Sequence, residues 1–333
     1  MKVIQVLNTS EYSGAENVAI GICDGLKEQG VEVAYASRIG SIQDVLRQRD
    51  IRYIGLKDLS VKRVRRMILD ECADVIHAHD MFASVVCALA TIGTKCRLVT
   101  MLHNNGFENR RISVKSVLYL IAMIRTRKAF FVSKACYDGY IFHKWFAKKS
   151  EILGNIIDVE NVIKKGENVE KKWDIVYVGR LFVQKDPLRL IKVIGMIRDV
   201  KPELKVAIVG NGEMTDETRE EVQRLGLEKN VELMGFRDDA IEIMAASEVM
   251  LMTSRWEGTP MVVLEAMALH VPVVATPVDG LKEVVNEKWL CDKDEDLAAA
   301  VIDLLDNGCD DYVWHVGMSR SDYIDKLMQA YSN

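Results

Sequence analysis

Residues 155–187 read NIIDVENVIKKGENVEKKWDIVYVGRLFVQKDP. The stretch 155–172 is polar and reads as a connector. Directly after it, DIVYVG (174–179) is a short, nearly continuous apolar run that ends in glycine and leads through a loop to a helical pattern opening at Asp186. Such a run fits a parallel strand covered on both faces. Downstream the alternation continues with KVAIVG (205–210), VELMGF (231–236), EVMLMTS (248–254) and VPVVAT (271–276), with helical periodicity over 186–199, 216–225, 238–246, 260–269 and 294–306. Upstream it has already occurred once: VIQVL (3–7), VEVAYAS (31–37), DVIHAH (74–79), RLVTML (97–102) and KAFFVS (128–133) alternate with helical stretches at 14–30, 42–49, 61–71 and 81–92. Strict βα alternation implies right-handed crossovers and a parallel sheet. The expected fold is therefore α/β, with two doubly wound, Rossmann-like domains at 1–154 and 173–315, a linker at 155–172, and a final helix within 316–333 that packs back, on the N-terminal domain by preference. Ligands of such sheets sit at the carboxyl ends of the strands, here expected in the cleft where the two domains face each other.

The 333 residues suit two domains, and 49% apolar with 28% charged residues excludes disordered and fibrous classes. Net charge is −5, which argues against a nucleic-acid binder with a broad basic face. The charge is unevenly divided: residues 1–150 hold 23 Lys and Arg against 14 Asp and Glu, and residues 151–333 hold 21 against 35. That asymmetry suggests an anionic partner for the first half. Seven scattered cysteines without a Cys-x-x-Cys pair read as reduced thiols of a cytosolic protein. MKVIQVLN reads as a strand rather than a signal peptide, and the longest low-polarity stretches, 81–93 and 117–124, fall short of the ~20 residues that span a bilayer.

Four strand ends carry candidate chemistry. Ser13 and Gly14 follow the first strand, and Gly14 opens a helix whose N-terminus suits a phosphate; a tight βα turn accounts for the same residues. The full Gly-x-Gly-x-x-Gly fingerprint is missing, so a nicotinamide dehydrogenase loses its main support. In the second half, YVGRLFVQKDP sets Arg180 and Lys185 in one strand-to-helix loop, where an Arg fork and a Lys point charge can hold a diphosphate. The stretch SRWEGTPMVVLEAMALHVPVVAT (254–276) is sharper: Thr259 is the expected N-cap and Pro260 the first residue of a helix that offers the amides of Met261 and Val262 to an anion. Glu257 precedes that helix and Glu265 lies inside it, and carboxylates suit the vicinal diols of a sugar and a ribose. The fourth end, VTMLHNNG, puts His103 and Asn104 beyond a strand, and DVIHAHD puts His79 and Asp80 at another exit, with His77 packed inside the strand. No ligand spacing supports a metal there.

Together these residues resemble the retaining glycosyltransferases of family 4, whose GT-B fold pairs two Rossmann-like domains. The resemblance rests on Glu257 and Glu265, with seven residues between them and a Glu-Gly-x-Pro context, on Gly179-Arg180 followed by Lys185-Asp186, on Ser13 to Glu16, the His-Ala-His strand exit, His103-Asn104, the 155–158 connector and Gly210-Asn211-Gly212, all in the expected order. It implies a nucleotide-sugar donor, most often a UDP-sugar, held mainly by the C-terminal domain, and transfer with retention and without a metal. By motif, Arg180 and Lys185 hold the diphosphate, Glu265 the ribose, and Glu257 with the 258–262 backbone, Gly258 and Thr259 included, the donor sugar and phosphates. Gly210, Asn211 and Gly212 belong to the donor side, Phe236 marks where the base lies, His103 bonds the donor sugar, and Gly14 closes over the phosphates. His79, Asp80 and Asn104 are left as acceptor-side candidates. The sequence departs from the family pattern at Ser13, where a glycine is usual, and at Ile156, where the connector commonly has glycine.

Between 109 and 149 ten cations are interleaved with Tyr119, Phe142, Trp145 and Phe146. Amphipathic basic segments of this kind lie on anionic lipid, although a packed helix with a solvated basic edge has the same composition. The expected partners are thus a nucleotide sugar, a lipid-diphosphate-linked saccharide acceptor of cell-surface polysaccharide assembly and an anionic membrane surface on the cytoplasmic side, with no nucleic acid and no cofactor. A nucleotide-sugar epimerase and a non-catalytic partner subunit of the same fold are the rival readings.

Overall fold

The computed structural model describes residues 1–11, 14–103, 106, 108–309 and 318–332, without the side chain of Asp279. Ser13 and Asn104, both singled out above, lie outside the described residues. The chain forms two compact units, Met1–Ile156 with Gly317–Asn333, and Ile157–Val316.

The first unit is built on β1 (Lys2–Val6), β2 (Glu32–Arg38), β3 (Arg52–Leu56), β4 (Val75–His79), β5 (Arg97–Leu102), β6 (Lys128–Phe131) and β7 (Ser150–Ile152), paired in parallel in the order β3-β2-β1-β4-β5-β6-β7. Its helices are α1 (Gly14–Glu28), α2 (Ile42–Gln48), α3 (Val61–Asp70), α4 (Asp80–Ala90), α5 (Val114–Arg125) and α6 (Lys134–Gly139). The strands that the sequence reading found are central and covered on both faces: Val3, Ile4, Val6, Val75, Ile76 and Ala78 are fully buried. The two it missed, β3 and β7, are the edges. RYIGL and SEI are mostly half-buried, so neither presents the apolar run by which a central strand is recognised.

The second unit holds α7 (Val159–Gly166), β8 (Trp173–Val178), α8 (Pro187–Val200), β9 (Val206–Val209), α9 (Thr215–Arg224), β10 (Val231–Gly235), α10 (Ala240–Ala245), β11 (Ser247–Met252), α11 (Met261–Ala268), β12 (Val273–Ala275) and α12 (Asp294–Asn307). Its parallel sheet runs β10-β9-β8-β11-β12 over one apolar core. The connector expected at 155–172 is corrected in part, because α7 lies within it. Asp158 caps α7 by accepting from the Asn161 backbone N–H at 3.2 Å. The helix packs on α10 and α11 through buried Val162 and through Gly166, where an added Cβ would stand 2.4 Å from Leu269 Cδ2. One buried valine among Lys and Glu leaves too thin an apolar stripe to read from sequence.

The last helix, α13 (Arg320–Ser332), belongs to the first unit. Tyr323, Ile324, Leu327 and Tyr331 bury one face against α1 and β5, with Ile324 seated over Gly25. Ion pairs Arg320–Glu28 (3.2 Å) and Lys326–Glu151 (3.0 Å) flank that face.

Candidate functional site

In each sheet the winding direction reverses once, and loops leaving the two strands on either side of that reversal diverge and open a crevice. In the second unit the reversal lies between β8 and β11, so the loops 179–186 and 253–260 border it. These hold the Arg180–Lys185 and Glu257–Pro260 motifs. Lys185 Nζ donates to Glu257 Oε1 at 2.5 Å, with side chains only 15% and 6% exposed. Gln184 ties the loops further, donating from Nε2 to the Trp256 carbonyl at 2.9 Å and to Glu257 Oε2 at 3.4 Å. Arg255 Nε donates to Asp186 Oδ2 at 2.8 Å, and the Arg255 backbone N–H donates to the Gln184 carbonyl at 2.8 Å. Asp186 adopts a left-handed backbone (φ 51°) that turns the chain into α8. Thr253 Oγ1 donates to the Asp186 carbonyl, and Thr276 Oγ1 to that of Ser254, which fastens β11's exit to the elements beside it.

Arg180 is held by its backbone and by its plane. Its carbonyl accepts from the Tyr177 hydroxyl at 3.1 Å, and its guanidinium lies 4.7 Å from the Phe182 ring centre, a stacking that stiffens the fork. Gly210, Asn211 and Gly212 fit beneath this loop. The Leu181 N–H donates to the Asn211 carbonyl at 3.0 Å, while a Cβ at Gly210 (φ 128°) or Gly212 would stand 2.0 Å from the Gly179 oxygen or 2.2 Å from that of Leu181. The Asn211 side chain, with its amide turned so that both ends are matched, bridges the Gly210 carbonyl and the Phe236 N–H. Phe236 itself is 65% exposed.

The expected helix start moves by one residue. Pro260 is the N-cap, in extended backbone, and α11 begins at Met261; Thr259 therefore precedes the cap. Proline's ψ of 127° takes it out of the helical region, so its fixed φ favours the first helical position only when the following peptide also turns. By helix geometry the N–H groups of Met261 and Val262 still have no acceptor inside the helix and can meet an anion. Glu265 follows on α11, where burial pushes its pKa up to about 7 and the Lys165 charge opposes that rise. Sequence reading missed Gly280, where a Cβ would stand 1.5 Å from the Gly258 oxygen; the glycine thus holds the 257–260 loop in place. Its signal was the glycine in TPVDG, just past a strand.

In the first unit the reversal lies between β1 and β4. Gly14 opens α1 beyond β1, with open space where a Cβ would be, and buried Glu16 accepts from Thr9 Oγ1. His79 ends β4 and Asp80, left-handed at φ 66°, starts α4. His103 follows β5, and its backbone N–H reaches Asp80 Oδ1 at 3.4 Å. His79 Nδ1 and His103 Nε2 are 2.7 Å apart, and His79 Nε2 lies 2.8 Å from Gln5 Oε1. Burial lowers the pKa of His79 well below the ordinary value, lowers that of His103 to about 4, and raises that of Asp80 to about 6. Among the described residues no group of three or more His, Cys, Asp or Glu side chains converges as a metal site.

The basic segment 109–149 proves partly structural. Lys149 donates to the carbonyls of Met123, Ile124 and Thr126 and so caps α5; Arg125 reaches the Thr91 carbonyl at the end of α4; Lys128, Lys134 and Arg111 pair with Glu151, Asp138 and Glu108. Beside the remaining exposed cations, which include Lys115, Lys144 and Lys148, an apolar row also faces outward. Val114 (77% exposed), Leu118, Ile121 and Ile124 (71% exposed) follow at helical spacing, beside Ile112 and Trp145. Among the described residues no helix is long and apolar enough to cross a membrane.

Comparison with known proteins finds two family signatures: Glycosyltransferase Family 4 over residues 12–161 and Glycosyl transferases group 1 over residues 158–314. Among curated proteins, the chain is 27% identical over 255 residues to the UDP-Gal:alpha-D-GlcNAc-diphosphoundecaprenol alpha-1,3-galactosyltransferase of Escherichia coli, covering 70% of this chain and 66% of that enzyme. It is 24% identical over 302 residues to the capsular polysaccharide biosynthesis glycosyltransferase CapH of Staphylococcus aureus, covering 85% of this chain and 83% of that one. Among solved structures, HepE from Anabaena in complex with UDP and glucose superposes with a TM-score of 0.82 at 20% identity, over 99% of this chain and 97% of that one.

Proposed function

Because the chain belongs to the family 4 glycosyltransferases of GT-B fold, we propose that it transfers a hexose or N-acetylhexosamine from a UDP-sugar, with retention, to a lipid-linked saccharide in polysaccharide assembly. The observation that carries this reading is the Lys185–Glu257 contact at the β8/β11 reversal, beside the amide end of α11. A cation, a carboxylate and unsatisfied N–H groups on converging loops match a sugar diphosphate: phosphate oxygens to the cation and amides, sugar hydroxyls to the carboxylate. The donor and acceptor classes are those of the E. coli relative, whose name gives UDP-galactose and a diphosphoundecaprenol-linked sugar.

In this reading Arg180 and Lys185 face the diphosphate, and their charge offsets that of the departing UDP, so the C1–O bond breaks against preplaced cations. The leaving phosphate oxygen takes the acceptor hydroxyl's proton. No metal is required for these steps. Glu257 accepts hydrogen bonds from the transferred sugar and Glu265 from the ribose. By the family motif, His103 is assigned to the transferred sugar, Gly14 to the phosphates, and His79 and Asp80 to the acceptor.

Peripheral attachment to the inner face of the membrane is part of the same proposal. It rests on the outward apolar row of α5 with Trp145, flanked by Lys115, Lys144 and Lys148.

A panel of nucleotide sugars in thermal shift, followed by transfer to undecaprenyl-diphosphate-linked saccharides with the anomeric product read by NMR, tests the enzyme reading. A shift with a UDP-sugar and an α-linked product from an α-linked donor is expected; turnover of donor alone to an epimer would replace this reading by the epimerase. Flotation with anionic vesicles tests attachment, and Ile121→Glu/Ile124→Glu should abolish it. Equal flotation of that variant and the parent would refute attachment through α5.

A further inference from the structure

The buried polar groups behind His103 form a chain with a direction. Gln5 on β1 is fully buried, and its Oε1 is an acceptor without a proton. The contact at 2.8 Å therefore requires His79 Nε2 to carry the proton and donate. A neutral imidazole has one N–H, so His79 Nδ1 is a lone pair, and the 2.7 Å contact requires His103 Nε2 to donate to it. His103 Nδ1 is then an acceptor lone pair, and it has no partner among the described residues.

The neutral state that this bookkeeping needs is supported by burial, which lowers the pKa of all three imidazoles, His77 to about 3. The groups facing them are Glu16, whose charge favours protonated His103, and Asp80, which the backbone N–H of His103 reaches. The direction of the chain follows from the Gln5 amide, whose oxygen faces His79. On its other side the buried Gln5 Nε2 has no hydrogen-bond partner among the described residues. The Tyr331 hydroxyl of α13 lies 2.7 Å from His77 Nδ1. Reversing the amide would reverse each bond and place a proton on His103 Nδ1, so the tautomer of His103 reports which way the Gln5 amide faces.

We propose that Gln5 and His79 are positioning residues that fix His103 in the Nε2–H tautomer, so that Nδ1 accepts a hydrogen bond from a hydroxyl of the transferred sugar. The sugar part rests on the reading of His103 given above; the tautomer part does not. A sugar lacking that hydroxyl, or carrying fluorine in its place, offers Nδ1 no proton.

The test is long-range 1H–15N correlation on protein labelled at histidine, with the His103 signals identified by their loss in His103→Gln. The expected spectrum shows protonated Nε2 and unprotonated Nδ1 for His103, and Gln5→Met, which keeps the volume but removes the acceptor, mixes the two forms. In the same variant kcat/KM for the nucleotide sugar should fall 3- to 10-fold while affinity for UDP alone stays within 2-fold, a split that general loosening of the fold would not produce. Protonated Nδ1 in the parent, or an unmixed signal in Gln5→Met, overturns the proposal. Normal transfer by His103→Gln with the expected tautomer in the parent would instead overturn the sugar contact and leave the relay standing.

Discussion

Replacing Lys185 by methionine isolates what the ion pair contributes to stability from what it contributes to transfer. Among the described residues, the change leaves the carboxylate of Glu257, 6% exposed, with only the 3.4 Å bond from Gln184. Removing one partner of a buried pair costs about 3–5 kcal/mol because the remaining charge is stranded; the partial exposure of Lys185 puts the expected loss at about 2–3 kcal/mol. For a unit of this size each kcal/mol moves Tm by roughly 2–4 °C, so Lys185→Met should melt about 5–10 °C lower in calorimetry. Adding Glu257→Gln removes the stranded charge while Gln184 retains an amide to bond. The double variant should therefore regain about half of the lost stability or more. Activity must not follow: a charge-assisted bond to the diphosphate is worth about 1.5–3 kcal/mol, so both variants should lose roughly 10- to 150-fold in kcat/KM. A double variant less stable than Lys185→Met, or a single variant with unchanged Tm, would refute the idea that the pair is held together by mutual need.

Three further outcomes follow from other parts of the structure. Burial raises the Glu265 pKa from an ordinary value near 4.5 to about 7, so the folded state holds that proton more tightly; its stabilising effect is complete below pH 4.5 and is lost as pH rises through 7. Glu265→Gln should flatten urea stability over that window by about 3 kcal/mol relative to the parent, and parallel curves would show that Glu265 is solvated. Gly280→Ala should cut donor affinity at least 10-fold, measured by calorimetric titration, because its Cβ must displace the Gly258 carbonyl. Deleting residues 320–332 removes Tyr323, Leu327 and Tyr331, each worth about 1.5–3 kcal/mol when buried, uncovers the faces of α1 and β5 that they pack on, and should leave the first unit without a cooperative melting transition.

Local composition is enough to read the strand and helix alternation of both halves and the strand ends where polar residues gather, because central parallel strands must be apolar and their loops need not be. The Arg180, Lys185, Glu257 and Glu265 pattern was legible for the same reason: each lies a few residues beyond a strand or inside the helix that follows. Local signals did not reach the two edge strands of the first sheet, RYIGL and SEI, which are only partly covered, or α7, which shows one buried valine. Contacts between residues distant in sequence were decided only by the tertiary structure. The strand order sets Lys185 against Glu257, 72 residues on, and Gln5 behind His79, 74 residues on. Tyr331 reaches His77 across 254 residues, and Gly280 supports a loop whose own sequence does not mention it. Strand order arises from which crossovers pack best over the whole sheet, so no single stretch of sequence encodes it, and the polarity of the buried imidazole chain exists only once that order has brought its members within hydrogen-bonding distance.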